Sequence, residues 1–109
     1  MKRGELWSAA TGSGFGGKPR PVLVVQADAF SDAPNIIVAL LTTTLDCDQR
    51  VRPRIDPDTD NNLNEPSLVQ VDLLLAVPRR KFGRWIGRVS ERDQMRVDQA
   101  LLIYLGFSG

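Results

Sequence analysis

The chain has 109 residues, 42% of them hydrophobic, and its 14 Lys and Arg residues nearly balance 13 Asp and Glu residues, leaving a net charge of +1. This composition predicts one globular domain over residues 1–109 and excludes a bulk attraction to nucleic acid, so any polyanion would need a local basic patch. The absence of histidine and the single cysteine, Cys47, exclude histidine-based catalytic triads and an internal disulfide framework.

Short apolar segments separated by turn-rich stretches predict β-strands in the first three quarters of the chain. The predicted strands are Glu5 to Ala10, Arg20 to Gln26, Ile36 to Thr44, Val51 to Ile55 and Ser67 to Val77. Residues 36–41 are continuously apolar, which predicts a central strand covered on both faces, with threonines emerging at its end. Residues 56–66 are rich in proline and asparagine and predict a long exposed, mobile loop.

The spacing of apolar residues changes near the C-terminus to that of an amphipathic helix. The apolar stripe consists of Val97, Ala100, Leu101, Tyr104 and Leu105. Ser90 is a suitable N-cap, with Asp93 three residues later, and Gly106 stands where a helix-ending glycine belongs. We therefore expect a helix over residues 91–105. Antiparallel strands closed by one packed helix form an α+β fold, here a small curled sheet or half-barrel.

Arg20 is the first candidate for function because the sequence around it suits a bound phosphate. It lies between Pro19 and Pro21, which restrict the local backbone, and follows a glycine-rich loop at residues 12–17 that can approach an anion closely. The alternative is an ordinary surface loop with a solvated arginine. A nucleotide P-loop is rejected, because Pro19 replaces the magnesium-binding Ser or Thr and a strand follows instead of a helix.

Further candidates lie on the fifth predicted strand. Gln70 and Asp72 should project from the same face because strand side chains alternate. Asp72 lies among apolar residues, so its burial would require a partner. Arg20 or a basic residue of a neighbouring subunit is the expected partner, and a structural salt bridge explains Asp72 as well as catalysis does.

A basic stretch and several aromatic residues could also contact a ligand. The basic residues of this stretch include Arg79, Arg80, Lys81, Arg84, Arg88 and Arg92. They predict either an electrostatic guide for a polyanion or simply a solvated charged face. Trp7, Phe82 and Trp85 are more typical of a core or an interface than of base-stacking platforms.

Several motifs together resemble the MazF/PemK/Kid toxins of bacterial toxin–antitoxin pairs. The matching segments are residues 2–7, Gly12-Ser13, residues 20–26 and residues 37–42, and the terminal helix also agrees. The resemblance covers nearly the whole chain. It implies an SH3-like antiparallel β-barrel with a C-terminal helix, a homodimer, and a metal-independent endoribonuclease without a cofactor that cleaves single-stranded RNA and is silenced by an antitoxin.

The resemblance also implies roles for individual residues. The family's catalytic arginine falls on Arg20, its catalytic threonine on Thr42, and the aspartate proposed as a base in some members on Asp72. Thr43 is the alternative if the register slips by one residue. The remaining expected RNA-binding residues are Phe15, Lys18, Gln70, Arg79, Arg80, Lys81 and Arg84. The chain departs from the family where the Asp-Gln-x-Arg pattern becomes Asp72-Leu73-Leu74-Leu75.

Two other classes of function stay open on the sequence. A non-enzymatic poison of DNA gyrase is one, because CcdB toxins share this fold and end in a short tail that resembles Leu105-Gly106-Phe107. A catalytically inactive RNA-binding module is the other. No apolar stretch approaches the roughly 20 residues that span a bilayer, and the N-terminus lacks the apolar segment of a signal peptide. We therefore expect a soluble, cytoplasmic protein that does not contact a membrane.

Overall fold

The computed structural model describes residues 1–11, 18–48 and 50–108. In these residues a curled sheet of six strands is followed by one C-terminal helix. The elements are β1 Glu5–Ala9, β2 Arg20–Val24, β3 Asn35–Thr42, β4 Arg54–Ile55, β5 Ser67–Pro78, β6 Phe82–Arg88 and α1 Glu91–Tyr104. Short 3-10 turns lie at Asp28–Phe30 and Arg79–Lys81. The predicted α+β half-barrel is confirmed.

The sheet has the order β4-β5-β3-β2-β1-β6, and every neighbouring pair is antiparallel. Strand β3 is therefore central, as its continuous apolar run predicts. Alternate residues of β2 and β3 enter two different clusters: Leu23 and Ala39 pack on the side of α1, whereas Val22 and Val38 pack on the opposite face. The middle of β3 is therefore covered on both faces.

Strand β6 was not expected from the sequence, which presents these residues only as a basic stretch. It pairs with β1, with Glu5 opposite Arg88 and Leu6 opposite Gly87. A Cβ atom at Gly87 would lie 2.3 Å from the carbonyl oxygen of Asp60, so only glycine allows this approach. The glycines in this stretch were the one sequence feature from which a strand in close contact with another backbone segment could have been predicted.

The loop over residues 56–66 is largely exposed, as expected, but the structure anchors it to β6. Asn61 is fully buried and its side chain bonds to the backbone of Asp56, Asp58 and Leu63. The amide of Arg88 donates to the carbonyl of Asp60 at 3.0 Å. This segment therefore closes the gap between the two edges of the curled sheet.

The predicted strand over residues 51–55 is shorter than expected, because only Arg54–Ile55 pair with β5. Residues 50–52 instead turn, with the amides of Val51 and Arg52 both donating to the carbonyl of Asp48. Pro53 has no amide hydrogen to contribute to a strand ladder. Because of this turn, Arg52 lies in a position that it would not have in a continuous strand.

Helix α1 begins at Glu91 as predicted and ends at Tyr104, one residue before the predicted end. The Ser90 hydroxyl accepts from the amide of Asp93 at 3.1 Å, and Gly106 has a φ of +85° beyond the last turn. Of the predicted stripe, Val97, Ala100 and Leu101 are buried. For the other two apolar residues the predicted stripe is wrong, because Tyr104 and Leu105 are each 52% exposed. In the described part of the chain no helix is long and apolar enough to cross a bilayer.

The aromatic residues separate into packed and exposed ones. Trp7 and Phe82 meet edge to face, with ring centroids 6.4 Å apart and planes at 86°, and both pack against the apolar cluster opposite α1. Trp85 is 49% exposed. Of these three rings, Trp7 and Phe82 pack against each other, and Trp85 is the one exposed to a ligand or partner.

Candidate functional site

A cleft of about 430 Å³ lies where β2 begins and β3 ends. Val22 pairs with Leu40, and the antiparallel register therefore brings Arg20, two residues earlier in β2, beside Thr42, two residues later in β3. The residues that line the cleft are Thr11, Arg20, Pro21, Leu40, Leu41, Thr42, Thr43, Ser67, Gln70 and Leu73. Four of the residues predicted from the sequence, Arg20, Thr42, Thr43 and Gln70, therefore share one site.

Arg20 stands at the mouth of this cleft as the exposed first residue of β2. Its backbone is held between neighbours, because Ala9 of β1 pairs opposite it and Pro21 follows it. A guanidinium here can present parallel N–H donors to phosphate oxygens. The strand framework thus delivers a planar cationic group to the site.

Thr42 contributes a hydroxyl whose orientation is partly determined. Its oxygen accepts a hydrogen bond from the backbone amide of Thr44 at 3.2 Å. This bond uses a lone pair of the oxygen and not the hydroxyl hydrogen, so the hydroxyl can still donate to a ligand. Thr43 lies just after the end of β3 and is exposed at the rim.

Gln70 and Leu73 form the β5 side of the cleft. Gln70 is only 8% exposed, whereas Leu73 is 45% exposed. An amide and an apolar side chain thus both line this wall. Such a pair can read a base edge and contact a base face, respectively.

The structure corrects the expected surroundings of Asp72. Asp72 does not line the cleft with Gln70, and its carboxylate pairs with Arg52 instead of Arg20. The Nε and NH2 groups of Arg52 lie 2.9 and 2.8 Å from the two carboxylate oxygens. The period-two expectation fails because β5 bulges here: Ala39 pairs with Leu74, but the next residue, Leu40, pairs with Gln70.

This pairing affects the protonation of Asp72. The hydrogen bonds from Arg52 lower the pKa of the Asp72 carboxyl from its usual 3.8, although desolvation acts in the opposite direction. The same contact raises the pKa of Arg52. The pairing therefore favours the charged form of Asp72, and each carboxylate oxygen accepts one hydrogen bond from Arg52.

Apart from Arg20, none of the predicted basic residues lines the cleft, and Arg79 lies at the start of β3, the end that is remote from the cleft. The guanidinium of Arg79 bonds to the carbonyl oxygens of Ser31 and Ala33 and so braces a loop. The carbonyl of Lys81 accepts from the amide of Ala10 at 3.0 Å, which places Lys81 close to Thr11 at the cleft rim.

The other expected RNA-binding residues differ in how the structure places them. Arg84 sits on β6, where its amide donates to the Ser8 hydroxyl. Arg80 and Lys18 are exposed, and Lys18 precedes Arg20 by two residues. Phe15 and the glycine-rich loop at 12–17 lie outside the described residues.

Sequence reasoning missed two contributors to this region. Arg52 was assigned to a strand, and no local pattern links it to Asp72, which lies 20 residues further along the chain. Leu73 was visible only as a departure from the family's motif. In the portion of the chain that the structure describes, no three His, Cys, Asp or Glu side chains are grouped to hold a metal ion.

Known proteins with similar sequences and folds agree with this architecture. Residues 2–105 match the family described as PemK-like, MazF-like toxin of type II toxin-antitoxin system. The chain is 37% identical over 109 residues to "Probable endoribonuclease MazF" of Mycolicibacterium smegmatis, with 100% of both chains covered.

Two solved structures are similar as well. "Mycobacterium tuberculosis toxin MazF-mt6" has a TM-score of 0.79 and 25% identity, covering 94% of this chain and 96% of that one. "Endoribonuclease in complex with its cognate antitoxin from Mycobacterial species" has a TM-score of 0.82 at 22% identity, covering 100% and 98%. Since the family match spans nearly the whole sequence, the chain belongs to the PemK-like, MazF-like toxins of type II toxin–antitoxin systems.

Proposed function

We propose that this toxin is an endoribonuclease that cleaves single-stranded RNA in the cleft between β2, β3 and β5. The observation that carries the proposal is the juxtaposition of Arg20 and Thr42 in one cleft of about 430 Å³. Its Mycolicibacterium smegmatis relative, named as a probable endoribonuclease, supports the same activity.

The proposed reaction uses the ribose 2′-hydroxyl of the RNA as nucleophile. This oxygen attacks the adjacent phosphorus as it loses its proton, the bond to the 5′-oxygen breaks, and that oxygen takes up a proton. The products are a cyclic phosphate and a free 5′-hydroxyl. Arg20 would bind the scissile phosphate through paired N–H groups and stabilise its developing charge, and Thr42 would donate a hydrogen bond to a phosphate oxygen.

The proton acceptor is a water molecule or a loop group in this proposal. Asp72, the base expected from the resemblance, is poorly suited, because it does not line the cleft and the hydrogen bonds from Arg52 lower its pKa. The reaction needs no metal ion, since Arg20 supplies the positive charge at the phosphate. Lys18, Arg80, Lys81 and Arg84 would guide the strand electrostatically.

The proposed partners are an antitoxin and a second copy of the chain. The exposed apolar residues at the end of α1 support an interface: Leu102, Ile103, Tyr104, Leu105 and Phe107 are each 47 to 80% exposed. We expect light scattering at micromolar concentration to give the mass of a dimer. A monomeric mass would contradict the homodimer and any RNA groove built from two subunits.

A gyrase poison is the second candidate, because Phe107 in the tail is 80% exposed and could engage another protein. The two functions predict opposite results for two substitutions. If RNA cleavage is the function, Arg20→Ala should abolish growth arrest while Phe107→Ala leaves it intact. Phe107→Ala is preferred to truncation because the Phe107 amide caps α1 by donating to the Leu102 carbonyl at 2.8 Å.

Growth arrest should be measured together with its molecular cause. We expect cut RNA and intact chromosomal DNA in cells that express the wild-type chain. Growth arrest that survives Arg20→Ala, disappears with Phe107→Ala and is accompanied by double-strand DNA breaks would assign the protein to the gyrase poisons. RNA binding without cleavage by the purified wild-type protein would instead identify an inactive RNA-binding module.

A further inference from the structure

The Arg52–Asp72 ion pair differs from the nearby Arg50–Asp48 pair. Both side chains of Arg52–Asp72 are mostly shielded, at 23% and 22% exposure, whereas Arg50 and Asp48 are 91% and 46% exposed. Both pairs are bidentate. Because a shielded bidentate pair is less screened and has a defined direction, Arg52–Asp72 is the one that can hold two segments in register.

The first of these segments is the bulge of β5. Leu40 pairs with Gln70 while the preceding Ala39 pairs with Leu74, so residues 71–73 have no partner residue in β3. Within the bulge Val71 enters the core on the side of α1, and Leu73 turns into the cleft. Asp72, between them, ties the bulge to Arg52 outside β5.

The second segment is the connection that leaves the cleft after Thr43 and leads to β4. It carries Arg52, whose amide is held by the carbonyl of Asp48 at 3.0 Å. One residue later, the Pro53 carbonyl accepts from the amide of Val69 at 2.9 Å. The backbone contact fixes one point of this connection on β5, and the ion pair fixes a second point at the bulge.

We propose that the Arg52–Asp72 pair is a positioning device that ties the connection after Thr43 to the β5 bulge and thereby sets the cleft wall formed by Gln70 and Leu73. The proposal rests on the RNA-cleaving function proposed above and gives Asp72 an indirect role. Arg52 and Asp72 are positioning residues, since neither lines the cleft. Loss of either one would let the wall shift and misalign bound RNA.

The protonation of the pair agrees with this role. The pKa of Asp72 is lowered, so its folded-state pKa lies below the unfolded value and its charged form contributes stability above about pH 4. That contribution is lost only as the pH falls through the lowered pKa. Coulombic interactions with Cys47 and Tyr104 also raise the pKa of Arg52. The pair is therefore charged across the neutral range.

The test compares Arg52→Ala, Asp72→Asn, the double variant and the charge-exchanged Arg52→Asp/Asp72→Arg, with Arg50→Ala as matched control. We expect each single variant to lower kcat for a single-stranded RNA by about tenfold, since a small misplacement of reacting groups is costly. The double variant should lose no more than either single one, and charge exchange should restore part of the activity. Arg50→Ala should stay within about twofold of wild type.

A second measurement tests the positioning role without measuring catalysis. Amide hydrogen exchange at residues 70–74 should increase in both single variants and not in Arg50→Ala, while thermal unfolding shows that each variant is folded. If the wild type cleaves no RNA, the proposed function fails but this exchange pattern still decides whether the pair positions the wall. Unchanged exchange at 70–74 would overturn the proposal.

The kinetics separate positioning from proton transfer. Severe loss in Asp72→Asn with near-normal activity in Arg52→Ala would mean that Asp72 itself acts on a proton, and so would loss of the acidic limb of the pH–rate profile in Asp72→Asn alone. If all variants were as active as Arg50→Ala, the Arg52–Asp72 pair would be a surface contact without effect on catalysis. Either result contradicts the positioning role.

Discussion

Replacing Arg20 with alanine should lower the rate of RNA cleavage by about 100-fold or more, because a cationic donor aimed at developing phosphate charge contributes several kcal/mol to transition-state stabilisation. The fold should survive, since Arg20 is exposed at the start of β2 and its neighbours Val22 to Val24 hold the strand in the core. Cleavage of a defined single-stranded RNA by purified protein, together with thermal unfolding, measures both effects.

Arg92→Ala and Arg20→Lys are the appropriate comparisons. Arg92 is exposed on α1 and does not line the cleft, so its removal changes net charge equally without touching the site. Lysine at position 20 keeps the charge but loses the forked donors, and we expect an activity between those of wild type and Arg20→Ala. Near wild-type cleavage by Arg20→Ala, free of contaminating nuclease, would remove Arg20 from the mechanism.

Local patterns were sufficient to predict most of the fold. The apolar run at 36–41 indicated the central strand, and the Ser90 cap and Gly106 bounded the helix almost to the residue. Strand β6 was not predicted because two of its seven residues are glycines and two are arginines, which weakens the usual signals of a strand. Its formation depends on pairing with β1 and on contact with the loop at Asp60, both of which are long-range in sequence.

The candidate site was predictable to the extent that it depends on strand register. Arg20 and Thr42 become neighbours as soon as β2 and β3 pair, whereas the roles assigned to them stay predictions. The partner of Asp72 could not be predicted from the sequence in the same way. It depends on a three-residue bulge and on the turn that presents Arg52, and neither follows from the alternation of side chains along an ideal strand.

A deoxyribose placed at the cleavage position of an RNA substrate should block cleavage there completely, because the attacking 2′-hydroxyl is then absent. Cleavage of the unmodified RNA should persist in excess EDTA, since the proposed charge stabilisation at the phosphate comes from Arg20. Analysis of the product ends should show a cyclic phosphate and a 5′-hydroxyl. Binding should change little, because the cleft would still contact the phosphate and the bases.

The control for this experiment is the same deoxy substitution placed several nucleotides away, which leaves the attacking hydroxyl in position and should leave cleavage intact. Binding of the deoxy-substituted RNA, measured by fluorescence anisotropy, distinguishes a blocked reaction from a lost complex. Cleavage at the deoxy position would require a nucleophile other than the ribose, such as water, and the roles of Arg20 and Thr42 would have to be assigned to hydrolysis. Activity abolished by EDTA and restored by a divalent ion would contradict the metal-free mechanism directly.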